Sequence, residues 1–313
     1  MGTPAVQAMP VPNRWNELRA QDLRVATVSY RLSIANRAFC RSALVPQPGF
    51  VLQGIEQFAQ ADRAAAARNY GLGSHKAVLA VVPGSPADRA GLAADDQLVS
   101  VNGQLLEDGP AAASPTRAFV EQAQAKIVEA MRRGAITLGV SRARGRADIS
   151  FKAEVGCASA VELVPGKDVN AWADGSRVVV SSAILARCRT DDDLALVIAH
   201  EMAHNLLHHP ARLVAAHGST SGRLGLIGSG SAEMRETEEE ADDLAVKLAK
   251  AAAYDLRGTE AFMSDLLRGD GAARAASTHP ATARRLALLR AAIGSLISDA
   301  PRGARDTISS GHI

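Results

Sequence analysis

The stretch Thr190-Asp191-Asp192-Asp193-Leu194-Ala195-Leu196-Val197-Ile198-Ala199-His200-Glu201-Met202-Ala203-His204 decides how this chain is to be read. Thr190 and Asp191 are good N-cap residues, and Asp192 and Asp193 place negative charge in a first turn, where the helix dipole favours it. The apolar run that follows predicts a strong helix over about 192–208, stopped by Pro210. Within that helix His200 and His204 stand four residues apart, on one face and one turn from each other, so that two imidazole nitrogens can grip a single zinc ion. Glu201 lies beside the pair, where its carboxylate can reach a metal-bound water.

A catalytic zinc takes three protein ligands and leaves its fourth position to water. A second long helix is expected over about 232–253, and on it Glu238 and Asp242 again stand four apart. Glu238 is the candidate third ligand, with Asp242 beside it as a partner that orients a ligating histidine. Glu238-Glu239-Glu240 is equally the kind of acidic run that marks a solvated face. Ala241, Ala245 and Ala249 continue the same stripe with small residues, which suits close helix packing and which a solvated face does not need. His208 and His209 fall at the end of the first helix, where histidines commonly face the dipole, and are read as peripheral.

Ahead of these helices, strands are expected at 160–164 and 178–182, with the turn residues Asp174 and Gly175 between them. Behind them, helical segments are expected at 259–267 and after His279-Pro280. The region from Gly49 to about Val155 has a different texture. Short β-rich runs at 50–52, 78–82, 97–101, 136–140 and 149–151 alternate with helical stretches at 55–70 and 117–133, the latter with Phe119, Ala123, Ile127 and Met131 at helical spacing. The segment 13–45 starts like a helix and has no assigned role. The fold class expected is α+β: a mainly helical catalytic domain with a small sheet, preceded by a small β-barrel-like domain. The boundaries expected are 1–46 (extension), 47–155, 156–299 and 300–313 (tail).

Lys and Arg total 35 against 33 for Asp and Glu, so the net charge of +2 offers no field for nucleic acid or an anionic membrane. No apolar run approaches the roughly 20 residues that span a bilayer. Met1 to Pro12 has neither a basic nor an apolar segment of the kind found in a signal peptide. The three cysteines, Cys40, Cys157 and Cys188, are too few for a disulfide scaffold and read as buried thiols, a Cys157–Cys188 bond being the sharper alternative. Such a bond would argue for an oxidising compartment.

The order His200-Glu201-x-x-His204, then Glu238-x-Glu240-Ala241-Asp242, then His279-Pro280 with Arg285, resembles the gluzincin endopeptidases of the HtpX-like and CAAX-prenyl type, peptidase family M forty-eight. Asn170 to Gly175, leading into the strand at 178–182, resembles the same family's edge strand. The resemblance implies one zinc ion per chain held by His200, His204 and Glu238, Glu201 as catalytic base, Asp242 as orienter, and His279 and Arg285 near the substrate or the oxyanion. It also implies an extended substrate along Val178, Val179 and Val180. The membrane helices of the HtpX and prenyl-protease branches are missing, which points toward the BepA-like envelope proteases and away from a prenylated substrate.

A second resemblance lies upstream. Val81-Val82-Pro83-Gly84-Ser85-Pro86-Ala87, Ala90-Gly91-Leu92, Asp95-Asp96 and Val99 to Gly103 are similar to PDZ domains of the HtrA type, with Asp95 where glycine is commoner. Gly49, Phe50 and Val51 stand at the expected carboxylate-binding loop, and the helix at 117–133 forms the other wall of a peptide groove. Together the two resemblances imply a zinc endopeptidase for unfolded or misassembled proteins, in the periplasm or cell envelope, with the cytoplasm as the alternative. A non-catalytic peptide-binding adaptor or holdase is the competing class. A resting cap by His279 or by the Gly- and Ser-rich loop 217–231 is a further expectation.

Overall fold

The computed structural model describes residues 14–40, 43–108, 114–217, 232–268 and 283–298. The chain forms two compact units, Met1–Leu163 and Val164–Ile313.

In the first unit a long helix, α1 (Arg14–Ala35), precedes strands β1 (Leu44–Gln47) and β2 (Phe50–Gln53), helix α2 (Gln60–Tyr70), and strand β3 (Lys76–Val81). The short helix α3 (Pro86–Arg89), strands β4 (Gln97–Val101) and β5 (Gln104–Leu105), helix α4 (Ala118–Arg132), and strands β6 (Ile136–Arg142), β7 (Gly145–Phe151) and β8 (Glu154–Cys157) follow. The main sheet runs β2-β3-β4-β6-β7, with β5 paired to β4, and β1 pairs separately with β8. This is an open path of strands, whereas a barrel-like closure was expected. Successive strand residues point to opposite faces, and both faces are covered. Leu52, Val78, Leu98, Leu138 and Val140 pack with Val120, Ala123, Ile127 and Met131 of α4 on one side. Ala77 and Leu79 pack with Trp15, Ala66 and Tyr70 of α1 and α2 on the other. The apolar stripe of α4 thus runs through Val120; Phe119, expected there, is only partly buried.

Turn chemistry sets this unit's loops. Ser85 caps α3 by accepting from Asp88 N at 3.2 Å, with Pro86 as the first helical residue. Asn102 (φ 50°) and Gly103 (φ 78°) make the β4–β5 hairpin turn. Asp95 also lies in the left-handed region, at φ 70°, where glycine is the easier residue. Its carboxylate takes Arg19 of α1 at 2.6 and 3.2 Å, an attachment glycine could not supply.

The segment without an assigned role is therefore α1, built into the first unit. Ser33 Oγ donates to Cys157 O at 2.8 Å, and Tyr30 Oη donates to Glu154 Oε2 at 2.8 Å. A Cβ on Gly156 would come within 2.6 Å of Ser33 Oγ, so glycine there admits the helix. The cysteine pairing corrects the sequence reading: Cys40 bonds Cys157, their Cα atoms 5.3 Å apart. The close seating of α1 on β8 brings these two together, while Cys188 is buried at the end of another helix and outside any disulfide.

Strand β9 (Ala160–Val164) carries the chain across the boundary. The second unit contains β10 (Ala171–Ala173), β11 (Arg177–Ser181), α5 (Ser182–Arg187), α6 (Asp191–Leu206), α7 (His209–His217), α8 (Ala232–Ala251), α9 (Thr259–Arg268) and α10 (Ala283–Ser298). Helix α6 opens with a capping box: Thr190 Oγ1 accepts from Asp193 N, and Asp193 Oδ2 accepts from Thr190 N. It is buried on every side from Asp193 to Asn205, so it is the unit's central helix. Ala241, Ala245 and Ala249 are buried along α8, the helix packed most extensively against α6. Helix α6 ends at Leu206, two residues short of the expected end, and Pro210 opens α7 as its second residue. The break lies at His208, whose φ of 56° no α-helix accommodates.

Among the described residues no helix is long and apolar enough to cross a membrane.

Candidate metal centre

Helices α6 and α8 bring His200, His204 and Glu238 into one buried cluster, 6%, 1% and 1% exposed. His200 Nε2 lies 3.1 Å from His204 Nε2 and 3.4 Å from Glu238 Oε2, and His204 Nε2 lies 3.5 Å from Glu238 Oε1. Ligands about 2.0–2.1 Å from a tetrahedral zinc stand roughly 3.3 Å from one another. The three donors thus already have the spacing of a metal's coordination sphere, and two imidazoles with one carboxylate suit zinc chemically.

The shell behind them is built from the same helices. Asp242 Oδ1 lies 3.0 Å from His200 Nδ1, which holds that nitrogen's hydrogen in place and turns Nε2 toward the cluster, where a metal would take its lone pair. Arg285 from α10 is 2% exposed and pairs with Glu238 Oε2 through Nη1 at 2.7 Å and with Asp242 through Nε and Nη2 at 2.8 and 2.9 Å. Burial pulls the Asp242 carboxyl up, but its bonds to His200 and Arg285 outweigh this and hold it below the ordinary carboxylate range. Burial likewise opposes charge on His200, yet Asp242 and Glu238 raise its metal-free imidazole to about 10. A cation entering the cluster therefore displaces a proton.

Arg285 sits against the ligand carboxylate and its orienter, and Glu201, 2% exposed on α6, adds its charge to the same guanidinium's surroundings. His279 and loop residues 218–231, the expected caps, lie outside the described residues.

One expectation is overturned. Val178, Val179 and Val180 belong to β11, the middle strand of its three-stranded sheet, and are at most 4% exposed. Both edges of a middle strand are already paired, so no substrate backbone can add there. The end strand beside it is β10, paired with β11 from Ala171↔Val180 to Ala173↔Val178. Helix α6 packs against both strands and pegs their turn. Asn205 Oδ1 accepts from Gly175 N at 2.7 Å, and Asn205 Nδ2 donates to Arg177 O at 3.1 Å. Asp174 Oδ1 accepts from Ser176 N and Arg177 N inside the same turn. Sequence reasoning missed Asn205; its place one residue after His204 was the available signal.

It also missed His209. This residue is fully buried, with Nδ1 2.9 Å from His204 Nδ1 and Nε2 2.8 Å from Glu240 Oε2, on which Arg212 Nη1 also closes at 2.6 Å. Burial pushes the His209 imidazole below its ordinary range.

In the first unit Gly49, Phe50 and Val51 line a cavity of about 250 Å³ between β2 and α4, with Ile127 and Val128 opposite. Ala26, Ser29 and Tyr30 of α1 form part of its wall. Gly49 has φ 73°, and a Cβ there would meet Ser85 Cβ at 2.6 Å, so both the loop's conformation and its contact with α3 require glycine.

Residues 146–234 and 224–293 match Peptidase family M48, and residues 78–114 match a PDZ domain. Over 136 residues the chain is 31% identical to the mitochondrial metalloendopeptidase OMA1 of Schizosaccharomyces pombe, an alignment covering 36% of this chain and 40% of that protein. The chain thus spans less than half the length of this curated relative. The matches and the buried cluster fall together: the later region is similar to M48 metallopeptidases and holds a possible metal site, and the region before it is similar to a PDZ domain.

Proposed function

We propose, from a PDZ domain followed by an M48-type metallopeptidase domain, that this protein is a zinc-dependent endopeptidase acting on unfolded or misassembled proteins of the cell envelope. The observation that carries the reading is the buried triangle of His200 Nε2, His204 Nε2 and a Glu238 carboxylate, with sides of 3.1 to 3.5 Å.

Zinc held by these three residues would polarise the scissile carbonyl and supply a water acidic enough to attack near neutral pH. Glu201 would accept that water's proton and return it to the leaving amine, the part a carboxylate next to the first ligand is placed to play. Asp242 would keep His200 Nε2 turned to the metal, and Arg285 pairs with both carboxylates and fixes them. The outer edge of β10, Ala171–Ala173, supports capture of an extended substrate by strand addition, which reads backbone more than sequence. The cavity between β2 and α4 supports a second point of capture for apolar chain segments, raising their local concentration. The Cys40–Cys157 bond supports an oxidising compartment such as the periplasm.

The test is cleavage of casein or a peptide library by the purified protein, with zinc measured in the same samples. Glu201→Gln should keep full zinc and lose at least about a hundredfold in rate, and chelation should abolish cleavage until zinc is restored. Wild-type protein with full zinc and no cleavage under any condition would overturn the peptidase reading in favour of a peptide-binding adaptor.

A further inference from the structure

Each metal-ligating imidazole must present a bare Nε2, which means its hydrogen must be kept on Nδ1. Asp242 does this for His200. At His204 the Nδ1 faces His209 Nδ1, at 2.9 Å.

Two imidazole nitrogens facing each other leave the direction of the bond open, and the next link closes it. His209 Nε2 lies 2.8 Å from Glu240 Oε2, and an ionised carboxylate only accepts, so Nε2 carries the hydrogen. A neutral His209 then has a bare Nδ1, which can only accept. The hydrogen between the rings therefore belongs to His204 Nδ1, and His204 Nε2 is left as a lone pair among the other ligand atoms. Arg212 Nη1 donates to the same Glu240 oxygen at 2.6 Å, which fixes the carboxylate facing His209.

The backbone is shaped for this contact. In one continuous helix of 3.6 residues per turn, a residue five positions on would point about 140° away from His204. The break at His208, a non-glycine at φ 56°, starts α7 at His209 and swings that ring back beside His204, with centroids 4.9 Å apart. His209 is completely buried there. A peripheral histidine at a helix end has no need of a left-handed residue before it, or of a carboxylate from a third element.

We propose that His209 and Glu240 are positioning residues that set the tautomer of His204, doing for the second metal ligand what Asp242 does for the first. The proposal rests on the metal-site reading above, and the test separates the two. Zinc affinity of the full chain is measured by competition with a chromophoric chelator, and the cobalt-substituted protein is examined by its visible spectrum. His209→Phe keeps the ring's volume but cannot accept, and should weaken zinc binding about 10- to 100-fold and shift the cobalt bands. His209→Gln, whose side-chain oxygen can accept from His204 Nδ1–H, should restore most of both. Glu240→Ala, at a part-exposed position where folding is not at stake, should weaken zinc in the same direction. In active samples kcat should fall with little change in KM. Wild-type affinity and an unshifted cobalt spectrum in both His209→Phe and Glu240→Ala would overturn the relay while leaving the metal site standing. Wild-type protein that binds no zinc would overturn the metal site itself.

Discussion

Asp242 is the residue whose removal reports most directly on how the cluster is supported. It accepts from His200 at 3.0 Å and holds Arg285 by two bonds, so Asp242→Asn both removes the charge and offers an amide hydrogen where a lone pair is wanted. Zinc affinity by chelator competition should fall about 10- to 100-fold, with helix content by circular dichroism unchanged. This part of the site was legible from spacing, because positions four apart on a helix must share a face and both helices formed where expected. His209 was not legible for the converse reason. The break that turns it inward lies at His208, neither glycine nor proline, and Pro210, read as a stop, is the second residue of the next helix.

Among the elements, α1 offers two predictions. Asp22 on this helix is partly buried, and burial, against the opposing pull of Arg117, raises its carboxyl to about 7. An acid raised in the folded state holds its proton more tightly there than in the unfolded chain, so stability is greatest at low pH and declines as pH rises from about 4 through 7. Asp22→Asn should accordingly raise Tm at pH 8 by roughly 2–4 °C and leave it nearly unchanged at pH 4, measured by thermal melts across that range. The second prediction concerns the Cys40–Cys157 bond, which closes a long loop. Cys40→Ser with Cys157→Ser should cost about 2–4 kcal/mol in the first unit, read as a lower denaturant midpoint that added reductant does not move further. Neither α1's attachment nor the cysteine pairing followed from the sequence, because each depends on which surfaces meet across long separations. Strand positions were legible from alternation; strand neighbours were not, which is why β11, expected to receive substrate, proves to be a middle strand. Asp95 shows the same limit: its place in the motif suited glycine, and only its partner Arg19 explains the exception.

For the whole molecule, the proposed function divides the labour between capture in the first matched region and cutting in the second. Val128 lines the cavity between β2 and α4 and is only partly buried, so Val128→Arg should fill that space with charge without emptying the core. Under the proposed function, KM for a long unfolded substrate should rise severalfold while kcat/KM for a short peptide that reaches the metal unaided stays the same. Equal effects on both substrates would count against the cavity as a capture site. The bond between Cys40 and Cys157 has one more consequence for an enzyme that cuts chains. A nick anywhere in the stretch it encloses, including one made by a neighbouring copy, would leave both fragments covalently joined. Such damage would be invisible on a gel run without thiol and would show as two bands once thiol is added.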